Sequence, residues 1–151
     1  MQGTELFRHL RGIPGDIVLH GSPYLVPIIE PKQAVHDTGT PELNECAVYG
    51  TRYGAIALLY ALIHEDRSNW GWRADFSESD EILVVAPDPF KGGPGYLYVL
   101  PRRPFTKVIG NGICHIAYEP VTPVEVLEVH PTVLEYLQEH CGVRLELPDA
   151  A

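Results

Sequence analysis

Val48-Tyr49-Gly50-Thr51-Arg52-Tyr53-Gly54-Ala55-Ile56-Ala57-Leu58-Leu59-Tyr60 changes its hydrophobic period in mid-stretch, and that change decides the fold class. Residues 47–50 are small, β-branched or aromatic and read as a short strand. Thr51 is placed to cap a helix. Over residues 52–64 the side chains of Ala55, Leu58, Leu59 and Leu62 return at helical spacing, with Ile56 and Ile63 widening the face. Tyr49 therefore leaves a strand, and Tyr60 lies about two and a half turns into the helix that follows.

Working outward, residues 16–21 (Asp-Ile-Val-Leu-His-Gly) are an apolar burst that ends in glycine, a strand that delivers His20 and Gly21 to its carboxyl end. Before it, residues 4–10 place Leu6, Phe7 and Leu10 on one helical face, and residues 12–15 break the pattern with two glycines. Between the two strands, residues 22–45 are rich in Pro, Gly and Thr and read as a long irregular loop, with one apolar stretch at 25–29. Beyond the helix, residues 65–79 are polar, carry Trp70 and Trp72, and read as a loop. Residues 81–86, 95–101, 105–109, 113–119 and 124–130 read as strands separated by Pro and Gly turns. Residues 131–141 form a last helix, with proline in its first turn and Gly142 after it. About seven short strands, most of them late, with two or three helices and no β-α-β alternation, predict one α+β domain over residues 1–151 built on a split, mostly antiparallel sheet.

The chain of 151 residues is 45% hydrophobic and 21% charged, which excludes a disordered tail, a collagen or a coiled coil. Eleven Lys and Arg against twenty Asp and Glu give a net charge of −9, which disfavours a nucleic-acid backbone or an anionic membrane as the main partner and leaves Arg102-Arg103 as a local basic spot. No apolar run approaches the roughly 20 residues that cross a bilayer, and the first residues lack a signal-peptide pattern, so a cytoplasmic location is expected. Cys46, Cys114 and Cys141 are odd in number and widely spaced, without a CxxC pair. Reduced thiols and no metal site are the expectation, because neighbours such as Cys114 and His115 on one strand face opposite ways.

Polar or aromatic groups collect at three strand ends. In Leu19-His20-Gly21-Ser22 a glycine without Cβ lets a ligand reach the backbone, whose N–H and C=O complement a planar amide. In residues 49–60 the two phenol rings of Tyr49 and Tyr60 are placed to bracket a flat ring. In Ile113-Cys114-His115-Ile116-Ala117-Tyr118-Glu119, alternation sets Cys114, Ile116 and Tyr118 against His115, Ala117 and Glu119, and Glu119 is the nearby carboxylate. Each also has a plain reading: a histidine satisfied by a turn, tyrosines in a core with wetted tips, and a solvated glutamate at a strand end. Arg102 and Arg103 are candidates for gripping a pyrophosphate, against a solvated turn between two prolines. Gly92-Gly93-Pro94-Gly95 precedes no helix and is more simply a hairpin turn than a phosphate loop.

In this order, the three segments resemble the ADP-ribosyltransferase superfamily, and more closely its His-Tyr-Glu branch, which includes the poly(ADP-ribose) polymerases and the RNA 2′-phosphotransferases. His20, Gly21 and Ser22 look like its first motif, in which histidine holds the adenosine ribose of NAD and the glycine backbone holds the nicotinamide carboxamide. Tyr49 looks like the tyrosine of the second motif. Tyr60, eleven residues on, falls where the family stacks a second tyrosine on nicotinamide. The resemblance spans residues 16–129 and departs from the family twice: Ala57 stands where the polymerases carry a serine, and Cys114 stands where the family carries its catalytic glutamate.

The resemblance implies an ADP-ribosyltransferase-like fold and transfer of ADP-ribose from NAD, the co-substrate, to an unspecified acceptor, protein or nucleic acid, with release of nicotinamide. His20, Gly21, Ser22, Tyr49 and Tyr60 would then bind NAD, and Glu119 would be the catalytic carboxylate. The alternative is an inactive module of the same fold that binds NAD, ADP-ribose or a protein partner. A third reading is a toxin or immunity-type protein whose acidic surface meets a partner.

Overall fold

In the computed structural model, which describes residues 3–33, 45–62, 73–76, 82–87, 93–109, 114–140 and 143–146, the chain runs through α1 (Gly3–Gly12), β1 (Ile17–Ser22), β2 (Lys32–Gln33), β3 (Cys46–Gly50), α2 (Gly54–Leu62), β4 (Arg73–Phe76), β5 (Ile82–Pro87), β6 (Gly95–Pro101), β7 (Lys107–Ile109), β8 (Cys114–Ala117), β9 (Glu125–Val129), α3 (Val133–His140) and β10 (Val143–Glu146). The class is α+β. Strand order is β1-β6-β9 in one sheet, β2-β3-β8-β7 in a second and β10-β5-β4 in a third. The first two are wholly antiparallel. In the third, β4 runs antiparallel to β5 and β10 runs parallel to it, so the pairing among the described residues is mostly antiparallel, as expected.

The central sheet has apolar side chains on both faces because its strands alternate between two cores. Leu19, Leu97, Val99 and Val129 face α2 and pack with its Ile56, Ala57, Leu58, Leu59, Ala61 and Leu62. Val18, Tyr98 and Leu100 point the other way, toward Val48 of β3, Ala117 of β8, Phe105 and Val121. Each fully buried large aliphatic side chain contributes about 1.5–3 kcal/mol, so both cores hold the sheet. Helix α2 is apolar nearly all round because the sheet and α1 enclose it. Glycine lets the strands approach it. A Cβ at Gly21 would stand 1.8 Å from the Ala57 carbonyl oxygen, and one at Gly95 1.7 Å from that of Ala61.

Several predicted bounds shift for identifiable reasons. The helix expected from residue 52 begins at Gly54, because the Thr51 backbone is held extended in a bridge to Leu19. Thr51 Oγ1 instead accepts the Tyr53 N–H at 3.1 Å, and the Tyr53 carbonyl takes the first helical bond, from Ala57. Residues 63 and 64 of that prediction lie outside the described residues. The loop read over 65–79 contains β4, whose partner β5 supplies the ladder that its polar composition does not advertise; the rest of that loop lies outside the described residues. The loop read over 22–45 holds β2, paired with β3, and a bridge from Ile29 to Val121, while 34–44 lie outside the described residues. The strand read from 105 begins at Lys107, since the Phe105 N–H closes a turn on the Arg102 carbonyl. The last helix begins at Val133 rather than Pro131, and β10 follows it, unforeseen in the sequence. Cys141, Gly142 and the glycine-rich entry 110–112 to β8 lie outside the described residues. Among the described residues no helix is long and apolar enough to cross a membrane.

Candidate functional site

The central and second sheets meet at one rung. Leu19 and Thr51 exchange two backbone hydrogen bonds, each 2.8 Å. Since Leu19 points its N–H and C=O toward Thr51, the alternation of an antiparallel strand sends those of Gly21 to the same side, away from β6. Counted from that rung, the residue facing Gly21 is Tyr49. No backbone bond joins them among the described residues. Instead, His20 Nδ1 lies 2.6 Å from the Tyr49 carbonyl oxygen. A carbonyl only accepts, so Nδ1 carries the proton and Nε2 is the acceptor nitrogen of the neutral ring. The imidazole thus stands where the next rung would form, and among the described residues no backbone bond joins β1 to β3 beyond Leu19 and Thr51.

Tyr98 supports that ring from below. It is fully buried, meets His20 edge to face with centroids 5.9 Å apart, and fixes the chain after β1. Its hydroxyl donates to the Tyr24 carbonyl at 2.5 Å and accepts the Val26 N–H at 2.9 Å. Burial raises its pKa, partly offset by the bond to Val26. Ser22 Oγ accepts the Tyr24 N–H at 3.2 Å, so Ser22 shapes this turn.

Tyr49 pairs with Ile116 across β3 and β8, which puts its side chain on the face of Cys114 and Ile116. Its hydroxyl donates to the Glu45 carbonyl at 2.6 Å. Its pKa is raised above 10.0 chiefly by burial, eased by that bond and raised again by Cys114, Glu45 and Tyr118. Tyr60, half-buried against the α2 core, lies one helical step from Ala57 and next to Ala61, the two residues on which Gly21 rests. His20, Gly21 and Tyr49 are therefore brought together; Tyr60 lies on the helix that Gly21 rests against, and Ser22 ends β1.

Glu119 stands apart. It is exposed, two residues past the end of β8, and makes no hydrogen bond or ion pair among the described residues. Cys114, with Ile116, is on the Tyr49 face, and burial pushes its thiol up to about 11. Arg102 is anchored at the opposite end of β1: its N–H bonds the Asp16 carbonyl and its guanidinium the Phe105 carbonyl. That is about 13 Å along the strand from His20, and Arg103 beside it is exposed. Gly93, in the expected glycine-rich turn, donates its N–H to the Leu62 carbonyl.

His115 is buried next to Phe105, and its Nδ1 has no hydrogen-bond partner among the described residues. Its pKa is lowered by burial first and by Arg102 and Arg52 after it. Sequence reasoning passed over two residues of this region. Tyr98 reads as one more apolar position in an alternating strand. Glu45, whose carboxylate lies beside the Tyr49 ring and 3.9 Å from Lys107 Nζ, falls at the edge of a loop. Among the described residues no three His, Cys, Asp or Glu side chains converge as a metal site would require. Comparison with known proteins gives no match, whether to family models, to curated proteins or to solved structures.

Proposed function

We propose that this chain is an ADP-ribosyltransferase-like protein of the cytoplasm that binds NAD in the opening between β1 and β3 and transfers ADP-ribose to an acceptor, releasing nicotinamide. The observation that carries this reading is the 2.6 Å bond from His20 to the Tyr49 carbonyl. It holds the imidazole beside the last β1–β3 rung, with the peptide groups of Gly21 on the side of β3. A carboxamide offers one donor edge and one acceptor, the complement of those groups. In this reading His20 would meet a ribose hydroxyl and Tyr60, on the helix that Gly21 rests against, would stack on the nicotinamide ring.

In the transfer, the bond from ribose to nicotinamide breaks with its electron pair going to nicotinamide. The acceptor's nucleophile then bonds the ribose carbon and loses a proton. The sugar passes through a state of positive charge that a carboxylate stabilises, the role given to Glu119. Isothermal titration with NAD tests the binding. Heat is expected, displaced by nicotinamide analogues and lost when His20→Ala and Tyr60→Ala are combined; no heat from folded protein overturns the reading. Nicotinamide release that disappears in Glu119→Gln, with NAD binding unchanged, is the expected mark of the chemistry.

One observation favours the second reading, a module that binds without turnover. The residues of β8 on the Tyr49 face are Ile116 and Cys114, whose thiol burial holds protonated, and Glu119 is past the strand's end. Heat with NAD, together with silence in the labelled-NAD assay for the unsubstituted protein, selects that reading.

A further inference from the structure

The two chain segments 25–27 and 123–126 border an open, shallow groove of about 610 Å³ lined by Leu25, Val26, Pro27, Pro123, Val124, Glu125 and Val126. Leu25 and Val124 are each 64% exposed, and Tyr24 beside them 67%. Leu25 and Val124 both line the groove, and exposed apolar side chains gathered at one groove mark an interaction site where singly scattered ones do not. The walls are held fixed. Ile29 and Val121 exchange two hydrogen bonds of 3.0 and 2.8 Å at the base, and the buried Tyr98 hydroxyl ties down Tyr24 and Val26.

The groove opens along β9, an outer strand of the central sheet. Residues Val18, His20 and Ser22 of β1 bond the even-numbered residues of β6, so the odd-numbered residues of β6 bond β9 at Glu125, Leu127 and Val129. Alternation then sends the N–H and C=O of Val126 and Glu128 outward, where no strand pairs with them among the described residues. Open backbone groups beside apolar pockets are what an extended polypeptide fits when it adds to a sheet edge. Charge states what kind. Segments 22–31 and 118–130 contain Glu30, Glu119, Glu125 and Glu128 and no Lys or Arg, in a chain of net charge −9. The two histidines near β9, His9 and His130, already meet Glu125 and Glu128.

We propose that this groove docks an extended segment of a partner protein, with apolar residues alternating with Lys or Arg, which adds to β9 as a further strand. An anionic membrane or nucleic acid would meet Glu125 in the groove and Glu128 on the same strand. The proposal does not depend on nucleotide binding.

The test is fluorescence polarisation with a labelled decapeptide of alternating Lys and Val, set against Glu-Val and Lys-Ser peptides of the same length. Binding of the Lys-Val peptide is expected, weaker by about tenfold or more for the other two. Val126→Pro removes one outward N–H at a strand edge where proline is tolerated, and Leu25→Glu spoils the groove wall without touching the ladder. Each is expected to weaken the Lys-Val peptide about tenfold, with the circular dichroism of the unsubstituted protein retained. Equal binding of Lys-Val and Lys-Ser, or no effect of either substitution in folded protein, overturns the proposal. So does a dimer by light scattering that Val126→Pro dissociates, which would assign the edge to a second copy of this chain.

Discussion

The His20 imidazole donates from Nδ1 to the carbonyl of Tyr49 at 2.6 Å, taking the place of the backbone rung that would otherwise bind Gly21 to Tyr49. One side chain thus ends the contact between two sheets and sets one of its ring nitrogens as an acceptor.

His20→Ala should therefore act twice. It removes the bond to a part-buried carbonyl, a loss of about 1 kcal/mol, which lowers the melting temperature by roughly 2–4 °C for a chain of this size. On the proposed reading it also removes the heat of titration with NAD. Thermal denaturation and titration on the same sample check both, and unchanged NAD affinity in the alanine variant would move the binding site elsewhere.

The glycines sort into two kinds. Gly21→Ala sets a methyl against the Ala57 carbonyl oxygen and the Ala61 nitrogen, and Gly95→Ala sets one against the Ala61 carbonyl; backbone cannot swing aside as a side-chain tip does. Each substitution is expected to cost about 1–3 kcal/mol or more by forcing α2 off the sheet. Gly12→Ala, at the end of α1 with nothing within 4 Å, is expected to be neutral or to stabilise by up to about 1 kcal/mol. Urea unfolding of the three variants side by side measures the contrast.

These contacts also show where sequence reading stops. The period of residues 52–62 and the alternation of 95–101 made α2 and β6 legible, because each element's buried face is written in its own side chains. That Gly21 rests on Ala57, or that His20 reaches Tyr49, follows from which strands adjoin, and alternation specifies faces, not neighbours. β4 and β10 were missed for the same reason, since each is a four-residue strand that exists through pairing with β5. Within the candidate site, the sequence placed His20, Gly21 and Tyr49 at strand ends, and the bond that joins His20 to the Tyr49 carbonyl came only with the adjoining strands. For Glu119 the plain reading, a solvated glutamate at a strand end, is the one the exposed position past Ala117 matches.

His115 makes stability depend on pH. Its folded pKa is lowered from the ordinary 6.5, by burial first and then by Arg102 and Arg52. The unfolded chain therefore takes up the proton first as pH falls, so stability is full above about 6.5 and is lost as pH falls from there through the lowered folded value. His115→Leu removes this dependence together with the partnerless Nδ1. Its stability near neutral pH should lie within about 1 kcal/mol of the unsubstituted protein, and its unfolding free energy should change less with pH below 6.5. An identical pH profile in both proteins would show that His115 does not titrate in this window.

Cys114 and Cys46 carry the same thiol in opposite settings. Cys46 is exposed, whereas burial raises Cys114 from the ordinary 9.0 to about 11. The thiolate is the reactive form, so at pH 8 Cys114 should alkylate about 100-fold more slowly than a thiol of ordinary pKa, before any added hindrance from its surroundings. Iodoacetamide labelling followed by peptide mass spectrometry should find Cys46 modified and Cys114 spared at pH 8, with Cys114 catching up as pH approaches 11. A thiol held protonated at neutral pH cannot serve as a nucleophile or replace the charge of a carboxylate beside Tyr49. Fast labelling of Cys114 at pH 8 in folded protein would mean an accessible thiolate on the Tyr49 face, and would reopen β8 as a source of the reacting group.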